Sequence, residues 1–266
     1  MRVFNDTENN RVEFLDERYY QDKDGNYYPS VTTVLDAYPK GKRFEQWLKD
    51  SGSSADDIVE RAAQHGTNVH GAVERLLKGE NVNWIDYTLD EWKMILRFND
   101  FYNQCSPEII GVEVNLVSTT LGVGGTIDLI CMIGGERWMI DNKTSGQIYD
   151  NHYVQLATYA MMWNESFPNE RIDRIGCLHL RALTKGPSRD GKNIQGAGWK
   201  IDEPTESPSE LFEIFKHVKV LWHRLNPHEK PMNQVMPASI KLEGRKVYAE
   251  PTKDLTVKQK VALPFE

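Results

Sequence analysis

Asp128, Asp141 and Lys143 stand in the stretch GGTIDLICMIGGERWMIDNK, two acids and a lysine set among otherwise apolar residues such as Ile127, Leu129, Ile130 and Ile140. Carboxylate oxygens are ligands for Mg2+ or Mn2+. A lysine beside them can hold a water or steady charge on a phosphate oxygen. The Gly134-Gly135 pair lies between the β-rich runs 127–133 and 137–140, the local signature of a tight hairpin turn. A two-residue turn pairs Ile133 with Glu136 and, counting outward, Asp128 with Asp141, their Cβ atoms roughly 5 Å apart on one face. A four-residue loop keeps that register, whereas a three-residue loop offsets the pair and aims the two side chains at opposite faces. Like charges directly opposed destabilise a sheet unless something compensates, and a divalent cation fits that role. Lys143, two residues after Asp141, shares its face. An ordinary Asp-Lys salt bridge on a solvated strand is the competing interpretation.

The 266 residues, 39% hydrophobic, suffice for one large domain or a domain with an appended module. Cys105, Cys131 and Cys177 lie far apart without a CxxC pair, so neither a disulfide framework nor a zinc ribbon is expected. With no apolar run near the ~18 residues of a membrane span, and no secretory signal in MRVFNDTENN, the chain reads as cytoplasmic, with no membrane partner. A net charge of −7 counts against a broad nucleic-acid footprint. Local basic clusters exist at Lys40, Lys42 and Arg43, and at Arg181, Lys185, Arg189 and Lys192; each is either a solvated face or a set of phosphate contacts. Tyr27, Tyr28, Tyr38 and Trp47 could stack bases of a single strand or belong to the core.

Around the hairpin, the pattern predicts short strands over 11–34 about the turn Asp24-Gly25, then a helix near 42–50. Ser53, Ser54 and Asp56 offer N-caps for a helix to about Lys78, with Ile58, Ala62, Val69, Val73 and Leu76 buried and His70 in the helix or at a bend near Gly66. Thr88 and Glu91 form a capping box for a helix to about Asn103. Strands follow over 108–118, 124–133 and 136–143, then a helix over 151–164 and a strand over 174–182. The span 184–197 reads as a loop. Ser207 begins a last helix with Leu211, Ile214, Phe215, Val218, Leu221 and Trp222 on its apolar side. A short strand at 245–249 is expected in a polar tail. The sum is a mixed α/β (α+β) layer architecture.

Four segments in this order, HGTNVH (65–70), GGTIDL (124–129), IDNK (140–143) and QLATY (155–159), resemble the RecB-type nucleases of the PD-(D/E)XK superfamily, over roughly a third of the chain. The upstream YPSVTTVL (28–35) further resembles phage-encoded exonucleases and the mitochondrial genome maintenance exonuclease.

The resemblance implies a restriction-endonuclease-like core, a central mixed sheet flanked by helices with extra N-terminal strands and helices. One nuclease domain would span 1–225, comprising an extension over 1–50, a catalytic core over 51–182 and a loop with a long helix over 183–225; 226–266 would be a C-terminal extension. Asp128 and Asp141 would bind metal and Lys143 would be the catalytic lysine. His70 would be the additional ligand of the RecB-type branch, and Gln155 with Tyr159 the motif that positions DNA. Glu113 matches an acidic position of several exonucleases of the superfamily and ranks below the others. The Asn142 backbone carbonyl would supply another oxygen ligand. The implied activity is a metal-dependent DNA exonuclease working on single strands or ends with Mg2+ or Mn2+, phage-encoded in a bacterial host. A replication or recombination protein would be its partner. The alternatives are a catalytically inactive nucleic-acid-binding module and a structure- or sequence-specific endonuclease. With three cysteines at these positions, no iron-sulfur cluster is expected. Nothing in the sequence sets the oligomeric state.

Overall fold

Three short strands open the computed structural model, which describes residues 11–14, 17–181 and 198–227. They are β1 (Arg11–Phe14), β2 (Glu17–Gln21) and β3 (Tyr27–Pro29), an antiparallel sheet in the order β1-β2-β3. Asp22 organises the turn before β3: its carboxylate accepts N–H groups from Asp24 and Asn26, each at 2.9 Å. The expected strand character stops at Pro29. Ser30, buried, accepts the Thr33 N–H at 2.9 Å and caps helix α1 (Val31–Leu35). Here a cap and the burial of Val31, Val34 and Leu35 outweigh the β preference of a Val-Thr-Thr-Val run.

Helices α2 (Gly41–Ser51), α3 (Ala55–Leu77) and α4 (Leu89–Cys105) follow. Ser54 is the N-cap residue of α3 without a side-chain bond, and α3 runs through Gly66 unbroken, so His70 lies mid-helix rather than at a bend. Val69 and Val73 are buried as expected, but Ile58 and Ala62 are exposed because the first half of α3 stands clear of the core. Thr88 and Glu91 form the expected reciprocal cap on α4.

The main sheet has the order β4-β5-β6-β7-β8, from β4 (Glu108–Ser118), β5 (Val123–Ile133), β6 (Glu136–Lys143), β7 (Arg174–His179) and β8 (Lys200–Asp202). Only the β6·β7 pairing is parallel, and helix α5 (Asp150–Ser166) makes that crossover. Helix α6 (Pro208–Leu225) starts at the Ser207 cap, with Glu210 completing the box. Its Leu211, Phe215, Val218 and Trp222 are buried, while Ile214 and Leu221 are exposed, a narrower apolar stripe than expected. β8 was not anticipated, being three residues long and beside a segment without pattern.

The fold is a mixed α+β arrangement with helices packed on a five-stranded sheet. One core cluster joins the sheet to α1, α5 and α6; a second joins it to α3 and α4. The small sheet docks on β5: the Tyr20 ring lies where a Cβ at Gly124 would be, and Tyr20 Oη is 2.8 Å from Thr126 Oγ1. No helix among the described residues is long and apolar enough to cross a membrane. The loop over 184–197, with Lys185, Arg189 and Lys192, and the strand at 245–249 lie outside the described residues.

Candidate metal centre

Both turn glycines have left-handed backbone, Gly134 at φ 61° and Gly135 at φ 87°, as a two-residue hairpin of matching twist requires. The register is the even one, from Ile133↔Glu136 to Leu129↔Ile140. There the ladder stops. β5 stays paired with β4 as far as Val123↔Ser118, and β6 stays paired with β7 as far as Lys143↔His179. The sheet therefore splits at the next register position, that of Asp128 and Asp141. They do not form the expected cross-strand pair; instead the Asp128 carboxylate accepts the Asn142 N–H at 2.8 Å. The N–H and C=O of one strand residue leave from the same edge, so the Asn142 carbonyl also points toward the gap.

A second irregularity lies opposite the first. The pair Val112↔Leu129 packs in the α3/α4 cluster, and the pair Val114↔Ile127 belongs to the α1/α5/α6 cluster. Regular alternation would keep 112 and 114, and likewise 127 and 129, on one face. The change of side falls at Glu113 and Asp128. Glu113 has φ 50°, and the β4·β5 register shifts just before it, between Ile109 and Gly111. A non-glycine residue held there costs on the order of 1–3 kcal/mol and persists only where its surroundings enforce it.

This roll of the ribbon brings Glu113 to Asp128 and to His70 of α3. One ligand atom from each of the three lies within 4.8 Å of the others, a group able to hold a metal ion. His70 Nδ1 is 3.3 Å from Asp128 Oδ2. One turn earlier on α3, Gly66 faces the residue after Lys143: a Cβ there would sit 3.3 Å from Thr144 Oγ1. Burial, then the charges of Asp128 and Glu74, push the Glu113 carboxyl up to about 8. The fold thus holds acids together at an electrostatic cost.

Asp141 lies on the neighbouring strand, outside that three-residue group. Its Oδ2 is 2.5 Å from Lys143 Nζ, both side chains largely buried. Burial raises the Asp141 pKa, with Lys143 opposing. Burial works against the Lys143 ammonium too, but Asp141 outweighs it and the lysine pKa is raised. Gln155 Nε2 makes long contacts to Asp141 Oδ1, 3.4 Å, and to Tyr159 Oη, 3.5 Å. Tyr159 is buried, which raises its phenol pKa well above the ordinary value, and its ring fills the place of a Cβ at Gly125.

Two histidines beside this pair were not anticipated. His152 is one helical turn before Gln155, a spacing visible in HYVQLATY, and His179 is paired in register with Lys143. Of the candidate stacking residues, Tyr38 packs against the core and Tyr28 donates to Asp22 at 3.0 Å; Trp47 lies 5.6 Å from Phe44, whose ring carries Lys40 Nζ at 5.3 Å. Arg181 pairs with Asp90.

No protein-family model matches the chain, and no curated relative does. Among solved structures, a candidate exonuclease from Eubacterium rectale is 14% identical, covering 75% of this chain and 80% of that one with a TM-score of 0.42. The protein SSO0001 is 13% identical, covering 64% of this chain and 88% of that one with a TM-score of 0.26. Likenesses this distant carry no assignment.

Proposed function

We propose that the chain is a metal-dependent DNA exonuclease of the PD-(D/E)XK type that hydrolyses phosphodiester bonds of single strands or DNA ends. The observation that supports it is the convergence of His70, Glu113 and Asp128 at a split in the sheet, with the buried Asp141–Lys143 pair on the adjoining strand. Carboxylates, one imidazole and a carbonyl suit Mg2+ or Mn2+, the imidazole favouring Mn2+. A closed structural zinc site would instead use four Cys or His ligands.

His70, Glu113 and Asp128 would hold the cation, with Asp141 and the Asn142 carbonyl facing it across the gap. When bound, it supplies polarisation of the scissile phosphate and a lowered pKa for a water. Lys143, its pKa raised, is an ammonium at neutral pH and acts as a donor toward the phosphate or the attacking water, not as a base. Gln155 steadies Asp141 and ties it to Tyr159. A role in phage replication, recombination or repair, beside a protein partner of that machinery, belongs to the same proposal.

The test is degradation of end-labelled linear and circular DNA, single- and double-stranded, and of RNA, with Mg2+, Mn2+ or chelator. Loss of linear DNA with circles intact supports the exonuclease. Cut circles make the chain an endonuclease on the same core, and binding without metal-dependent turnover makes it a binding module.

A further inference from the structure

The connection over 144–149 begins directly after Lys143 and ends at α5, the helix that carries Gln155. An imidazole ties down each end. His179 Nε2 lies 2.9 Å from the Ser145 carbonyl, and a carbonyl only accepts, so this nitrogen carries the hydrogen. The Tyr149 N–H donates to His152 Nδ1 at 3.3 Å, so that nitrogen is bare and the hydrogen sits on Nε2. One ring therefore serves as a donor and the other as an acceptor. Burial, then the charge of Lys143, push His152 down to about 4, which keeps it an acceptor at neutral pH.

Other contacts of the connection agree. The Leu180 N–H donates to the Lys143 carbonyl at 2.9 Å, so residues 179 and 180 grip the chain at Ser145 and at Lys143, either side of Thr144. Ser145 Oγ donates to the Gln147 carbonyl at 2.8 Å, which closes the span on itself. Gly146 and Gln147 at its crest are exposed, and His179 beneath is 9% exposed.

We propose that His179 and His152 are positioning residues that clamp the connection 144–149 from both ends, and thereby hold Lys143 against Asp141 and Gln155 beside them. This rests on the proposed role of Lys143 as the phosphate-facing cation. A lysine side chain has four rotatable bonds, and its ammonium is useful only where the backbone beneath it is fixed. The clamp provides that fixity by hydrogen bonds to the backbone on both sides of the crest.

The test pairs each disruptive variant with one that keeps the hydrogen bond. His179→Gln retains a donor near the position of Nε2, and His152→Asn retains an acceptor near that of Nδ1; His179→Leu and His152→Leu retain neither. Amide hydrogen exchange of the 144–149 peptide, on the metal-free chain without DNA, reads the clamp by itself. Exchange should quicken by on the order of tenfold or more in the Leu variants and little in the Gln and Asn variants. With single-stranded DNA and Mn2+, kcat of the Leu variants should fall by about tenfold or more with KM within about twofold, and the Gln and Asn variants should recover most of it. Unchanged exchange in the Leu variants overturns the clamp. Quickened exchange with kcat falling only as far as thermal stability does, or no recovery in the Gln and Asn variants, overturns the positioning role. Absence of metal-dependent turnover in the wild-type chain refutes the nuclease proposal instead, and the exchange measurement still decides the clamp.

Discussion

The Asp128 carboxylate accepts the Asn142 N–H at 2.8 Å, where regular pairing of β5 and β6 would have continued the ladder. One side chain thus takes over a backbone bond and ends the pairing at Leu129↔Ile140. It also leaves Asp128 beside His70 and Glu113. Opening the sheet and building the acidic centre are the same structural act.

Replacing Asp128 separates these two duties. Asp128→Ala strips the Asn142 N–H of its acceptor, and an unpaired buried donor costs about 1–3 kcal/mol. Asp128→Asn keeps an amide oxygen there but removes the charge. Urea unfolding without metal should show the Ala variant destabilised by that amount and the Asn variant near wild type, while calorimetric Mn2+ titration shows binding weakened in both. Equal destabilisation of the two would remove the capping role.

Glu113 is held buried against Asp128 and Glu74 with its pKa pushed up. Glu113→Gln should leave the metal-free chain at least as stable as wild type. It should also remove most of the stabilisation by Mn2+, which for an intact site at a hundred times Kd is about 2.7 kcal/mol. A variant that keeps the full Mn2+-dependent rise in Tm would exclude Glu113 as a ligand.

His152 makes the metal-free fold sensitive to acid. Its pKa falls from 6.5 in the free side chain to about 4, first by burial and then by Lys143. Between those values the unfolded chain binds the proton and the folded chain does not, so stability falls as pH is lowered. The contribution is complete above about 6.5 and is lost as pH falls toward about 4. Unfolding free energies at pH 7, 5 and 4 should therefore decline less steeply in His152→Asn; parallel curves would contradict the assignment.

Gly125 makes room for Tyr159, whose ring fills the volume of an added Cβ. Gly125→Ala should cost about 1–3 kcal/mol by overpacking and should lower turnover through Gln155, which reaches Tyr159 and Asp141. Thermal unfolding and kcat read the two effects; an unchanged Tm would mean the ring moves freely.

Much of this was legible because local chemistry and final structure agree. Gly134-Gly135 determined the hairpin and its register, and Thr88–Glu91 and Ser207–Glu210 marked helix starts that the fold uses. The split was not legible. Register counting assumes that a ladder continues, and an acid that prefers a backbone N–H to a facing acid breaks the count at its last step. Glu113 ranked low for a similar reason: nothing in GVEVNLVS announces a left-handed residue, and without that φ the pattern reads as an ordinary strand. Ile58 and Ala62 of α3, and Ile214 and Leu221 of α6, fit the apolar periodicity yet are exposed, because periodicity shows which face is apolar, not how far the core extends along it.

The buried Asp141–Lys143 pair separates a hydrolytic centre from a merely structural one. Removing one partner of a buried ion pair leaves an uncompensated charge worth about 3–5 kcal/mol, so Asp141→Asn with Lys143→Met together is the variant expected to keep the fold. Its circular dichroism and its release of nucleotides from end-labelled single-stranded DNA are compared with wild type in Mn2+, Mg2+ and chelator. Wild type should release nucleotides only with the cation, and the folded double variant should lose at least ~100-fold of that release. Release at the wild-type rate by the folded double variant, or by wild type in chelator, would contradict a hydrolytic centre at this pair.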